Sequence, residues 1–104
     1  GEVRNVTVLF SDIRGFTSVS ESLSPEQVVN WLNIYFSGMD ECIRKYGGFI
    51  NKYIGDAILV VFGAPVETPN HSEMALKAAI AMREKCKELN REIESRGYPL
   101  LKIG

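Results

Sequence analysis

The sequence predicts an α+β domain in which helices cover one face of an antiparallel sheet. Two short β-prone runs flank Gly55-Asp56 with the spacing of a hairpin. A long segment before this hairpin and another after it repeat apolar residues with a helical period. A further apolar run at residues 6–10 provides another strand. A chain of 104 residues is long enough for one such domain and too short for two.

The first strand is predicted at Val6–Phe10. Because this is a short continuous run of β-branched and aromatic residues, it is typical of a strand buried on both faces. Gly15 interrupts the pattern, and Phe16–Ser22 is predicted to form a short helix.

The first long helix is predicted to begin after Ser24. Ser24 is suited to the N-cap, Pro25 to the first helical position and Gln27 to the capping box. Apolar residues then recur three and four positions apart over about six turns. They are Val28, Leu32, Tyr35, Phe36, Met39, Ile43 and Tyr46. Gly47-Gly48 predicts the end of the helix, because glycine readily adopts the left-handed conformation of a C-terminal cap.

The hairpin strands are predicted at Phe49–Ile54 and Ala57–Phe62. A loop rich in glycine and proline follows, and Asn70 or Ser72 is predicted to cap the second long helix. The buried stripe of that helix is predicted to be Ala75, Ala79, Met82, Cys86, Leu89 and Ile93. Leu100–Ile103 is predicted to open another strand.

The predicted order is therefore β-α-α-β-β-α-β, a ferredoxin-like or palm-type arrangement. In this arrangement the first strand is a neighbour of the hairpin. The end of the first strand, where Asp12 stands, is then expected beside the turn that contains Asp56.

Composition excludes several classes of protein. Twelve basic residues nearly balance 13 acidic ones, so we expect no nucleic-acid partner recruited by a broad positive field. Cys42 and Cys86 lie on apolar helix faces without metal-ligand spacing and are predicted to be buried free thiols. The longest apolar run, Ala57–Phe62, is too short to span a bilayer. We expect a cytoplasmic domain without membrane contact of its own, although a larger protein could tether it.

Asp12 and Asp56 are the candidate metal ligands. Two carboxylates brought together repel each other unless a cation lies between them. Mg²⁺ suits such a pair, because it is commonly held by one or two carboxylates together with water and phosphate oxygens. Gly15 and a helix beginning at Phe16 would then offer backbone N–H groups to a phosphate. The alternative is that Asp12 is only a helix cap and Gly55-Asp56 only a turn.

Two blocks of this sequence resemble the catalytic domain of the class III nucleotidyl cyclases, the adenylate and guanylate cyclase family. They are Phe10–Thr17, which reads FSDIRGFT, and Asn51–Ala57, which reads NKYIGDA. With Tyr46-Gly47-Gly48 between them, the resemblance extends over essentially the whole chain.

The resemblance implies a reaction and a set of site residues. Asp12 and Asp56 correspond to the two metal-binding aspartates, and Ile13 to the residue that contributes a backbone carbonyl. Gly15, Phe16 and Thr17 correspond to the turn beneath the triphosphate. The implied reaction converts ATP to 3′,5′-cyclic AMP and pyrophosphate, for signal transduction, with two divalent ions, Mg²⁺ or Mn²⁺.

The resemblance also implies a base preference and a partner. Lys52 corresponds to the lysine by which adenylate cyclases contact adenine, whereas guanylate cyclases carry a glutamate there. An ammonium group only donates hydrogen bonds, which suits a ring-nitrogen acceptor of adenine. In the family two domains pair head to tail, so Lys52 and Asp56 of one chain would serve different sites of a homodimer.

The family's transition-state asparagine and arginine and its second base-contacting residue would lie beyond Ile103. We therefore expect residues 1–104 to be the N-terminal part of a catalytic domain and not to cyclise ATP alone. The alternatives are a non-catalytic cyclase-like module that binds nucleotide or regulates a partner, a guanylate cyclase, or a diguanylate cyclase. The hairpin sequence at residues 53–57, YIGDA, disfavours the last, whose signature is Gly-Gly-Asp/Glu-Glu-Phe.

Overall fold

A computed structural model describes residues 4–104 of the chain. The elements are β1 (Thr7–Ser11), α1 (Phe16–Ser22), α2 (Pro25–Lys45), β2 (Phe49–Ile54), β3 (Ala57–Phe62) and α3 (His71–Ser95). The strands form an antiparallel sheet in the order β1-β3-β2. The predicted α+β class, and the position of the first strand beside the hairpin, are confirmed.

The ends of α2 follow the sequence signals. The Ser24 side chain accepts a hydrogen bond from the backbone N–H of Gln27, and the Gln27 side chain accepts one from the backbone N–H of Ser24. These reciprocal bonds satisfy two donors that the first turn would otherwise leave unpaired. After Lys45, Gly47 adopts φ 79° and lets the chain turn into β2.

The core lies between the inner face of the sheet and the two long helices. Its largest fully buried side chains are Trp31, Tyr35, Met39, Ile43, Ile58, Val60, Phe62, Met82 and Ile93. The indole N–H of Trp31 donates to the carbonyl of Pro99 at 2.9 Å, which ties the segment after α3 to α2. Cys42 and Cys86 are buried free thiols, as predicted, and burial raises the pKa of Cys86 to about 11.

Two details of α3 differ from the prediction. Ala79 is exposed, and Ala78 takes its place in the buried stripe. The stripe therefore passes through Ala75, Ala78 and Met82, because the repeat of 3.6 residues allows either spacing. Asn70 occupies the N-cap, but with φ 60° and no hydrogen bond from its side chain to the helix.

The prediction that the first strand is buried on both faces is wrong for this chain. Val8 and Phe10 on β1 are 57% and 56% exposed. Phe10 pairs across the sheet with Leu59, and Leu59 pairs with Lys52, so these side chains share the outer face. Both long helices pack against the opposite, inner face. Within residues 4–104 the outer sheet face has no cover.

The predicted strand at Leu100–Ile103 is also wrong in part. Ile103 forms only an isolated antiparallel bridge with Ile13. The N–H of Asp12 donates to the carbonyl of Gly104 at 3.3 Å, and the N–H of Gly104 donates to the carbonyl of Asp12 at 3.1 Å. Because a strand needs several consecutive pairs, this pairing falls short of one within the described residues. Their order is therefore β-α-α-β-β-α.

No helix of residues 4–104 is both long enough and apolar enough to cross a membrane.

Candidate active site

The sheet register places the two candidate aspartates at one end of the molecule. Ser11, the last residue of β1, pairs with Ile58 near the start of β3. Since the strands are antiparallel, the turn that precedes β3 lies beside the residues that follow β1. That turn contains Gly55, at φ 60°, and Asp56.

One hydrogen bond joins these two segments directly. The backbone N–H of Ile13 donates to Oδ2 of Asp56 at 2.9 Å. Asp56 is partly buried and Asp12 is exposed. The carboxylate of Asp56 is thus held at the residue that follows Asp12, as the sequence led us to expect.

Within residues 4–104, neither carboxylate makes the local hydrogen bond expected of a helix cap or of a residue that only closes a turn. The N-cap of α1 is Gly15, not Asp12, and no side chain caps this helix. Asp56 does stand in a hairpin turn, but its carboxylate reaches across to Ile13 rather than bonding within the turn.

The chemistry of the available donors fits a divalent cation. The bond from Ile13 engages one oxygen of Asp56 and leaves the other oxygen and the Asp12 carboxylate available. The carbonyl of Ile13 accepts no hydrogen bond from any residue in the 4–104 range. The same range holds no group of three or more His, Cys, Asp or Glu suited to a metal. The donors available here are therefore two carboxylates and one backbone carbonyl. Mg²⁺ accepts an oxygen-rich set of this kind with few carboxylates.

The candidate phosphate turn lies next to Asp12. Gly15 is exposed and adopts φ 68°, a conformation that glycine accommodates without steric cost. The Phe16 ring stacks on Trp31 with centroids 6.3 Å apart, so its side chain faces the core. Thr17 is exposed on the first turn of α1.

Lys52 lies on the strand that leads into the turn containing Asp56. It is exposed on β2, an edge strand, beside an irregularity in the register between Ile50 and Lys52. Its cross-strand partner is Leu59, which places it on the outer sheet face. Within residues 4–104 it forms no ion pair with Asp12 or Asp56.

A buried hydroxyl pair beneath the aspartates was not predicted from the sequence. Ser11 is 4% exposed, and its Oγ lies 3.1 Å from the hydroxyl oxygen of Tyr35 on α2. Burial raises the pKa of Tyr35 to about 12, and the negative charges of Asp56 and Asp12 add to this rise. The periodicity of α2 placed Tyr35 in the core, but no sequence signal pairs it with Ser11.

Comparisons with known proteins identify the family of this chain. Residues 1–103 match the family model described as the adenylate and guanylate cyclase catalytic domain. The chain therefore belongs to the adenylate and guanylate cyclase catalytic domain family. It is 39% identical to an adenylate cyclase of Anabaena cylindrica, over 97% of this chain and 20% of that protein. It is 35% identical to the human guanylate cyclase soluble subunit beta-2, over 100% of this chain and 17% of that protein.

Solved cyclase structures have the same fold. The guanylyl cyclase Cya2 superposes with a TM-score of 0.93 at 42% identity, over 100% of this chain and 53% of that one. The adenylyl cyclase CyaB from P. aeruginosa gives a TM-score of 0.90 at 39% identity, over 96% of this chain and 53% of that one. The chain thus spans about half the length of these cyclase structures. Its relatives include both adenylate and guanylate cyclases, so the comparisons define the class of enzyme and not the base.

Proposed function

We propose that this chain is the N-terminal part of an adenylate cyclase catalytic domain, which converts ATP to 3′,5′-cyclic AMP and pyrophosphate. The observation that carries the proposal is the bond from the Ile13 N–H to Asp56, which brings a second carboxylate beside Asp12. Membership of the cyclase family supports the reaction class.

Residues after β1 and in the turn between β2 and β3 would hold two divalent ions, Mg²⁺ or Mn²⁺. The ligands would be the carboxylates of Asp12 and Asp56 and the carbonyl of Ile13. Such ions, when bound, activate an attacking hydroxyl and neutralise a leaving pyrophosphate. The N–H of Ile13 fixes the orientation of Asp56, and the exposed backbone of Gly15–Thr17 lies where the triphosphate would extend from Asp12.

The base would be read by Lys52 from a second chain. Lys52 is exposed on the outer sheet face and unpaired with the aspartates of its own chain. In a head-to-tail homodimer it would therefore serve the partner's site, where its donors suit the adenine ring. GTP is the second candidate substrate, because guanylate cyclases are found both among the related sequences and among the solved structures with this fold.

The outer sheet face supports the proposed dimer. Val8 is 57%, Phe10 56% and Phe49 48% exposed, and Val61 joins Val8 to Phe49 across the sheet. Exposed apolar side chains that are contiguous commonly mark an interaction surface.

Product formation by the complete catalytic domain tests the proposal. The domain is assayed with ATP and with GTP, in Mg²⁺ and in Mn²⁺, as wild type, Asp12→Asn and Asp56→Asn. We expect cyclic AMP from the wild type and a loss of about 100-fold or more in each variant, since metal-derived stabilisation amounts to several kcal/mol. Asp40→Asn is the matched control, because Asp40 pairs with Arg44 on the surface of α2.

The outcomes separate the possible functions. A near-normal rate in Asp12→Asn or Asp56→Asn would contradict the metal assignment. Cyclic GMP as the main product would make the protein a guanylate cyclase. No product from either nucleotide would indicate a regulatory module. Residues 1–104 alone are expected to be inactive.

A further inference from the structure

Three consecutive residues at the end of β1 are each tied to a different part of the molecule. Ser11 Oγ is hydrogen-bonded to the Tyr35 hydroxyl on α2, 3.1 Å away. Asp12 exchanges backbone hydrogen bonds with Gly104. Ile13 donates to Asp56 of the hairpin. The position of the Asp12 carboxylate therefore depends on α2, on the segment that ends at Gly104 and on the β2–β3 hairpin.

The tie to α2 is the only one of the three that lies in the core. Ser11 is 4% exposed and Tyr35 is fully buried. Successive side chains of an extended segment point to opposite sides, so holding Ser11 inward directs Asp12 outward. A hydroxyl pair in the core fixes an orientation that apolar contacts alone do not.

Stability gives only a weak reason for this pair. Replacing both partners of a buried hydrogen bond by apolar groups of similar shape is often nearly neutral. The location offers a stronger reason, because Ser11 directly precedes Asp12 and its bond to Tyr35 ties this point of the chain to α2.

We infer that the Ser11–Tyr35 hydroxyl pair positions Asp12 for divalent-ion binding, which makes Tyr35 a positioning residue for the proposed reaction. The inference rests on the proposed function, since it assumes that Asp12 is a metal ligand. Mg²⁺ demands short, nearly ideal octahedral ligand geometry, so small displacements of one carboxylate weaken its binding. In this role Tyr35 would act through Ser11, without touching metal or nucleotide.

The test compares hydroxyl deletions that keep the core filled, made in the complete catalytic domain. Tyr35→Phe and Ser11→Ala each remove one hydroxyl, and the double variant removes both. Tyr98→Phe is the matched control, because the Tyr98 hydroxyl makes no hydrogen bond within residues 4–104. Binding of Mn²⁺ is measured without nucleotide by electron paramagnetic resonance, and kcat and KM for ATP are measured at saturating and limiting Mg²⁺.

We expect the dissociation constant for Mn²⁺ to rise about fivefold in Tyr35→Phe and in Ser11→Ala, the effect of losing one buried hydrogen bond. The half-saturating Mg²⁺ concentration should rise similarly, while KM for ATP at saturating Mg²⁺ changes less than twofold. The dissociation constant for Mn²⁺ should be no higher in the double variant than in either single variant, because each single substitution already removes the same interaction. Tyr98→Phe should match the wild type.

Unchanged Mn²⁺ affinity in folded Tyr35→Phe, or in Ser11→Ala if Tyr35→Phe does not fold, would overturn the inference. Asp12→Asn distinguishes this failure from failure of the proposed function. If Asp12→Asn loses Mn²⁺ while the hydroxyl variants keep it, only the positioning role is wrong. If Asp12→Asn also keeps Mn²⁺, the proposed metal site is wrong.

Discussion

At the scale of single residues, the candidate site depends on short-range bonds that the sequence indicates only in part. Asp12 and Asp56 were identified because each stands where a strand ends or a hairpin turns. Their closeness followed from strand order, and the bond from Ile13 to Asp56 bears it out. The Ser11–Tyr35 bond could not be predicted, because these residues lie 24 positions apart and only the tertiary fold brings them together.

Lys52 carries the prediction on base selection. In Lys52→Glu the donors become acceptors, which suit guanine N–H groups rather than an adenine ring nitrogen. We expect the ratio of kcat/KM for ATP to that for GTP to fall about tenfold or more, the scale of one charged hydrogen bond. Competition assays with both nucleotides measure this ratio.

Lys87→Glu is the control for that substitution, since Lys87 pairs with Glu84 on the surface of α3. An unchanged ATP preference in Lys52→Glu would mean that the base is read by other residues.

At the scale of elements, the boundaries of helices and strands were predictable because local chemistry sets them. The capping box at Ser24 and the glycines after α2 act within a few residues of the chain. Which side of each helix or strand is buried was less predictable. Ala78 rather than Ala79 is buried, because the neighbouring strand and helix decide which of two adjacent small residues turns inward. Val8 and Phe10 are apolar yet exposed. Their exposure was not predictable, because an apolar sequence does not show which face of a sheet the helices cover.

The junction between α2 and β2 carries a stability prediction. A Cβ at Gly48 would lie 2.8 Å from Cζ of Phe62 and 2.7 Å from Cγ2 of Ile43, both fully buried side chains. We expect Gly48→Ala to lower the free energy of unfolding by about 1–3 kcal/mol, because overpacking a dense core forces its neighbours to move. Urea denaturation of both proteins measures the difference.

Phe62→Leu provides the control for Gly48→Ala, because it removes the ring atoms that crowd the new methyl group. In the Phe62→Leu protein, Gly48→Ala should lower the free energy of unfolding by less than it does in the wild type. An equal cost in both backgrounds would show that the Phe62 ring is not what requires glycine.

At the scale of the whole molecule, the chain has a covered and an uncovered sheet face. The long helices pack on the inner face, while Val8, Phe10, Phe49 and Lys52 occupy the outer one. The sequence could not predict this asymmetry, because apolar residues stand on both faces of β1 and the pattern does not tell the faces apart. The proposed dimer accounts for both its apolar side chains and the separation of Lys52 from Asp56.

The dimer prediction uses Val8, which is 57% exposed on the outer face of β1. A charge placed there would be desolvated on association. We expect Val8→Lys to raise the dissociation constant of the dimer about tenfold or more, measured by analytical ultracentrifugation of the complete domain. Val66→Lys, at a loop position 75% exposed, is the control. Equal dissociation constants for Val8→Lys and wild type would place the interface elsewhere.

The central claim is that Asp12 and Asp56 jointly hold divalent cations, and crystallography of the complete domain with Mn²⁺ and a non-hydrolysable ATP analogue tests it most directly. The account predicts anomalous difference density between the two aspartates, with carboxylate oxygens of both within coordination distance. Crystals in which bound Mn²⁺ lies away from either aspartate would contradict it.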